Sequence, residues 1–131
     1  MRFRRVIGEG SKYNGHSGAM AWPYNVGALL TEGPIFVCEG ELDAIVATQC
    51  GLPAIAFPGA NSWKRVYARM LRFREIYVLA DGDAAGRKFA ESVARDVQGT
   101  KIAEMPPGED VNSVFLRDGE MGLREWAGLI E

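Results

Sequence analysis

The sequence predicts an α/β fold with about four strands in a mainly parallel sheet and helices on both faces. Three observations predict it. Short apolar runs recur at 35–38, 54–57 and 76–80, each the length of a buried strand. Each run is followed by residues at helical spacing. The links between them are short, and strand–helix alternation with short links implies right-handed crossovers and a parallel sheet covered on both sides.

Residues 1–32 read as an N-terminal extension of short strands and loop packed on the core, and residues 33–131 as the main domain. Arg2 to Ile7 alternates weakly, Gly8 to Gly18 is rich in Gly, Ser and Asn, and Ala19 to Trp22 is a short run stopped by Pro23. After the first run, Leu42, Ile45, Val46 and Cys50 follow helical spacing, and Gly51-Leu52-Pro53 breaks that helix. The second run closes at Pro58-Gly59-Ala60-Asn61-Ser62, with Ser62 a suitable cap for the next helix. There Trp63, Val66, Tyr67, Met70 and Leu71 form an expected apolar stripe, while Arg65, Arg69 and Arg72 line another face. After the third run a helix over 84–97 turns Phe89, Ala90, Val93 and Val97 inward and stops near Gly99. Lys101 to Met105 is a weaker fourth strand. Pro106-Pro107-Gly108 is a stiff loop, Val111 to Phe115 a turn or two of helix, and Leu123 to Ile130 a last helix. Trp22, Trp63 and Trp126 are expected in the core.

Composition narrows the function. No apolar run approaches the roughly 18 residues a membrane span needs, so no membrane partner is expected. Cys38 and Cys50 sit in apolar surroundings, as small core residues of a reducing, cytoplasmic compartment. His16, in a glycine-rich loop, is the single histidine, and there is no C-x-x-C, which argues against zinc. Gly8-Glu9-Gly10 does not extend to a dinucleotide fingerprint, and no G-x-x-x-x-G-K-[ST] occurs. The charge is asymmetric: residues 1–74 carry nine Lys/Arg against five Asp/Glu, and residues 75–131 six against twelve. A basic half and an acidic half point to a polyanion on one side and cations on the other.

The acidic residues with chemistry follow the strands. Asp81-Gly82-Asp83 leaves the third run and Glu39-Gly40 leaves the first. If the strand order is 2-1-3, those two strands are neighbours about 4.8 Å apart and their ends open into one crevice. Carboxylates about 4 Å apart repel by roughly 1–4 kcal/mol between water and a protein surface, so a fold that gathers them calls for a cation. An all-oxygen set suits Mg²⁺ (or Mn²⁺). Read alone, the turn is equally a polar helix start, with Asp81 as cap and Asp83 in the first turn.

Glu39-Gly40-Glu41-Leu42-Asp43-Ala44 paired with Asp81-Gly82-Asp83-Ala84-Ala85-Gly86 resembles the Toprim domain, a Rossmann-like fold. Bacterial-type primases, type IA and type II topoisomerases, recombination-repair proteins and some nucleases share it. Phe57 to Ser62, Ala85 to Lys88 and Pro106 to Asn112 are most similar to the primase part of phage primase-helicases, and Ser11 to Asn14 is loosely similar to a basic-aromatic stretch before the primase core. The resemblance covers about residues 33–118. It implies metal-dependent phosphoryl transfer on nucleic acid, most simply RNA primer synthesis in DNA replication. A nuclease, or a non-catalytic DNA-binding replication or recombination module, are the alternatives. It implies Glu39 as general base or acid, also at the metal; Asp81 and Asp83 as the metal pair; and Asp110 as a further acid. Lys12, Arg65, Arg69, Arg72, Arg87 and Lys88 are the expected nucleic-acid or nucleotide ligands. The implied partners are single-stranded DNA, nucleotides and a replicative helicase, in the host cytoplasm if the chain is phage-encoded. Without the family's zinc module, weak activity alone and poor template-sequence preference are expected.

Overall fold

The structure, a computed structural model, describes residues 23–58 and 63–128. Lys12, His16, Trp22, the readings over 1–22, Ser62 and Ile130 lie outside them. Four strands form one sheet: β1 (Ile35–Cys38), β2 (Ala54–Ala56), β3 (Ile76–Ala80) and β4 (Lys101–Glu104). Their order is β2-β1-β3-β4 and every pairing is parallel, with Val37 opposite Ile55 and Val78. The chain steps outward from β1 to β2, then returns past β1 to β3, which makes the β1–β3 boundary the switch point.

Side chains alternate along a strand, and both faces of this sheet are covered. Phe36, Cys38, Ala54, Ala56 and Leu79 face one layer, packed by α1 (Glu41–Gln49) and α4 (Val111–Trp126). Ile35, Val37, Ile55, Ile76 and Val78 face the other, packed by Trp63, Tyr67, α2 (Ala68–Leu71) and α3 (Ala84–Asp96). Phe57, Trp63 and Tyr67 form an aromatic cluster there, with ring centroids 5.0–6.0 Å apart. Among the described residues no helix is long and apolar enough to cross a membrane.

Several helix readings need correction. On α1 the buried residues are Asp43, Ala44, Val46 and Ala47, whereas Leu42 and Ile45 are exposed. Small alanines let α1 lie close to the sheet, so the larger apolar side chains are left outside. The expected 63–71 stripe is not one helix. Lys64 is extended, a 3₁₀ turn covers Arg65–Tyr67, and α2 has four residues. Val66 is therefore exposed while Trp63, Tyr67 and Leu71 are buried. Trp126 is 41% exposed, at the last turn of α4, rather than a core residue. Gly119 (φ 73°) interrupts α4, separating the two helical stretches expected there.

Candidate active site at the carboxyl edge of the sheet

Glu39 follows the last residue of β1 and Asp81 the last residue of β3, so both emerge at the carboxyl edge of adjacent strands. Asp83 lies two residues on, at the start of α3. The loop after β4 closes over this turn. Gly82 donates its N–H to the Glu109 carbonyl at 2.8 Å, and Gly108 donates to the Gly82 carbonyl at 2.7 Å. That approach leaves no room for side chains. A Cβ on Gly82 would stand 1.9 Å from the Pro106 carbonyl oxygen, and one on Gly86 2.3 Å from that of Asp81. The glycines are thus a packing requirement of the turn. The same loop delivers Asp110 to the site.

Five carboxylates gather here: Glu39, Asp43, Asp81, Asp83 and Asp110. Among the described residues no Lys or Arg forms an ion pair with any of them. Three have structural partners. Asp83 caps α3, accepting from Gly86 N at 2.6 Å. Asp110 caps α4, accepting from Ser113 N at 2.8 Å while its own N–H donates to Ser113 Oγ at 3.0 Å. Asp43, almost fully buried, accepts from Asn112 N at 3.2 Å. Asp81 differs: its Oδ1 is buried without a hydrogen-bond partner, the one such side-chain atom among the described residues. The helix cap is therefore Asp83, not Asp81, which corrects the simple polar-turn reading.

The electrostatics follow. Burial first, then the charges of Asp43, Glu39, Asp110 and Asp83, push Asp81 up to about 7. Burial and Asp110, with a smaller push from Glu39, raise Asp43 to about 6 against the lowering bond from Asn112. Burial and Asp83 raise Glu39. Cys38, beneath the cluster, is held as the thiol by burial and by Asp43 and Asp81. Sequence reasoning misses Asp43 as a site residue, because a first-turn acid on α1 also reads as helix-dipole chemistry.

The donor set is oxygen only and suits a hard cation. Among the described residues, no three Asp, Glu, Cys or His side chains converge as ligands to one ion. Mg²⁺ typically takes one or two protein carboxylates and completes its shell with water and phosphate.

The basic residues fall in two places. Arg87 and Lys88 lie in the first turns of α3, and Arg87 pairs with Glu104 at 3.1 Å. Arg65, Arg69 and Arg72 share a groove with Phe73, Arg74, Asp96 and Gln98. Arg72–Glu75 lead into the start of β3 and Asp96–Gln98 leave the end of α3, so this groove is at the amino edge of the sheet. The two edges are separated by the five residues of β3, about 16 Å of strand. The structure therefore gathers the three arginines, but away from the carboxylates.

A family model described as Toprim-like matches residues 36–115, a span that holds all five acids. The chain belongs to the Toprim-like family. Gene 57 protein of Mycobacterium phage D29 is 39% identical over 127 residues, spanning 95% of this chain and 84% of that protein. The primase fragment of the bacteriophage T7 primase-helicase superposes with a TM-score of 0.61 at 26% identity, over 76% of this chain and 46% of that one. A DnaG primase catalytic domain solved with single-stranded DNA gives a TM-score of 0.72 at 21% identity, over 95% of this chain and 46% of that one. This Toprim domain is thus related to phage and bacterial DnaG-type primase catalytic domains, and spans under half the length of those two solved primase chains.

Proposed function

We propose that the chain supplies the phosphoryl-transfer centre of a primase-type nucleotidyltransferase, extending RNA primers on single-stranded DNA with Mg²⁺ or Mn²⁺. The observation that carries this reading is Asp81, a half-buried carboxylate whose Oδ1 is buried and unpartnered, with four acids around it. Such an arrangement costs folding energy unless a cation offsets it. Asp81 and Asp83 would hold the ion. Asp43 and Asp110 would add negative charge around it, and Glu39 would be in reach of it. The ion, when bound, neutralises phosphate charge and lowers the pKa of an attacking hydroxyl. Glu39, with its pKa raised by burial and Asp83, is suited to take a proton from a hydroxyl and return it. Lys12, Arg87 and Lys88 would hold nucleotide or template phosphates, Arg87 by exchanging Glu104 for phosphate. Residues 1–32 would serve as an extension of the 33–131 domain. Kinship with a primase-helicase fragment supports a replicative helicase as partner.

The test is incubation of single-stranded DNA with labelled ribonucleotides and Mg²⁺ or Mn²⁺, with and without a replicative helicase, and in parallel of end-labelled single strand with the same metals. Extension products support the reading. Shortened products would make the chain a Toprim nuclease, and metal-independent binding without turnover would make it a non-catalytic module.

A further inference from the structure

The amino-edge groove carries an inference that does not depend on the acid centre. Its cavity is ≈ 810 Å³ and open to solvent, with Arg65, Arg69, Arg72 and Phe73 in its lining. Phe73 is 94% exposed, the most exposed of the large hydrophobic side chains described. Its backbone lies in the left-handed region, φ 67°, just after Arg72, the extended C-cap of α2. A bulky aromatic there is a conformational outlier, in a place glycine or asparagine would occupy without strain. The Arg72 guanidinium stands 5.7 Å over the ring. Neither burial nor packing accounts for an exposed aromatic on strained backbone.

The surrounding charges are available. Asp96 is the one acid lining the groove among the described residues. Its Oδ1 and Oδ2 both accept from Arg95, and Oδ2 also accepts from Trp63 Nε1 at 2.9 Å. Arg74 is committed elsewhere, donating to the Leu29, Thr31 and Gly33 carbonyls at 3.0, 2.6 and 2.7 Å. Arg65, Arg69 and Arg72 form no ion pair among the described residues. A sequence-tolerant single-strand site combines guanidinium groups along a backbone with an aromatic face for an unpaired base. A duplex offers no base face to such a ring, and an acidic peptide would use the arginines but not Phe73.

We propose that this groove is a single-strand nucleic-acid site separate from the acid centre, in which Phe73 stacks on an unpaired base while Arg65, Arg69 and Arg72 hold the flanking phosphates. It places a strand on the far edge of the sheet from the chemistry, where it can be held without occupying the centre.

The test is fluorescence anisotropy of the full chain in EDTA, without nucleotides, so that failed primer synthesis leaves the result intact. The probes are a thymidine strand of about 12 nucleotides, within the usual range of single-strand sites, an abasic strand of equal length and a matched duplex. Wild type should prefer the thymidine strand to both. Phe73→Asn, which suits left-handed backbone, should keep or raise the melting temperature. It should also weaken thymidine-strand binding about 5- to 150-fold, the usual worth of one base–aromatic stack, and erase the preference over the abasic strand. Phe73→Tyr should bind like wild type. Unchanged binding by Phe73→Asn, equal binding of abasic and thymidine strands by wild type, or equal competition by an acidic peptide would each overturn the proposal.

Discussion

The two edges of the sheet are built by opposite rules. At the carboxyl edge five acids are gathered by strand ends, helix caps and a loop threaded between glycines, and the charge there is partly buried. At the amino edge three arginines and Phe73 stand open to water along a 3₁₀ turn, the short α2 and the strained residue beyond it. The first edge suppresses part of its own charge, since burial and repulsion push Asp81, Asp43 and Glu39 toward the neutral form. The second presents guanidinium groups to solvent. On the proposed reading, one region is suited to chemistry on a bound cation and the other to holding a polyanion. The difference teaches that acids and arginines far apart in sequence are sorted to opposite ends of one sheet by strand ends and by where the short elements before β3 stop.

The comparison breaks most sharply at Glu39. If the carboxyl edge does the chemistry, Glu39→Gln should lower primer extension about 10²- to 10⁴-fold, the usual range for a lost general acid–base. It should leave strand binding in EDTA unchanged, as measured by anisotropy. A comparable loss from changes confined to Arg65, Arg69 and Arg72 would assign the chemistry to the wrong edge. The packing of the turn is tested next. Gly86→Ala should destabilise the fold by about 1–3 kcal/mol through overpacking against Asp81, read by chemical denaturation. The amino edge is sharpened by the Arg65→Ala, Arg69→Ala, Arg72→Ala triple variant. Its log–log salt slope for single strands should flatten by about 0.7 for each phosphate that is no longer neutralised. An unchanged slope would remove the groove from the binding surface.

The smallest effect is the pH signature of Asp81. Its folded pKa, about 7, lies above the ordinary value of 3.8, so the folded state binds the extra proton. That contribution is complete below the unfolded pKa and is lost as pH rises through about 7. Without metal, the melting temperature should therefore fall between about pH 4 and 7, and Mg²⁺ should offset the fall. Asp81→Asn should raise the metal-free melting temperature at pH 8 by about 3–6 °C, the shift for about 1 kcal/mol in a chain of this size. It should also lose the Mg²⁺ response, whereas Glu39→Gln should keep most of it. Scanning calorimetry with and without metal reads both, and the reverse pattern would exchange the two roles.

Much of this is legible in the sequence because chemistry and local pattern coincide. Glu39 and Asp81 stand directly after apolar runs, so reading the strands also locates the acids. Order 2-1-3 brings them together. Asp43 is hidden because an acid early in a helix has an ordinary reason to be there, and its burial comes from α4 reaching back through Asn112. The 63–71 segment misleads because apolar spacing cannot separate one helix from an extended residue, a 3₁₀ turn and four helical residues. The position of the arginines is out of reach for the same reason: which edge they line depends on where α2 ends. Phe73 gives no signal at all, since nothing in its sequence neighbourhood announces left-handed backbone.

The glycines of the acidic turn bear on how lineages are to be judged. Because Gly82 and Gly86 are demanded by the crossing of the Pro106 loop and by the Asp81 carbonyl, a descendant that abandoned turnover would still lose stability by giving up either. Asp81 is under the opposite pressure, since its buried Oδ1 has no partner and, on the proposed reading, a bound cation offsets that cost. In a silent copy the glycines would persist as a mark of ancestry while Asp81 drifted to a neutral residue, so Asp81 is the position that tells a working descendant from an inherited shell.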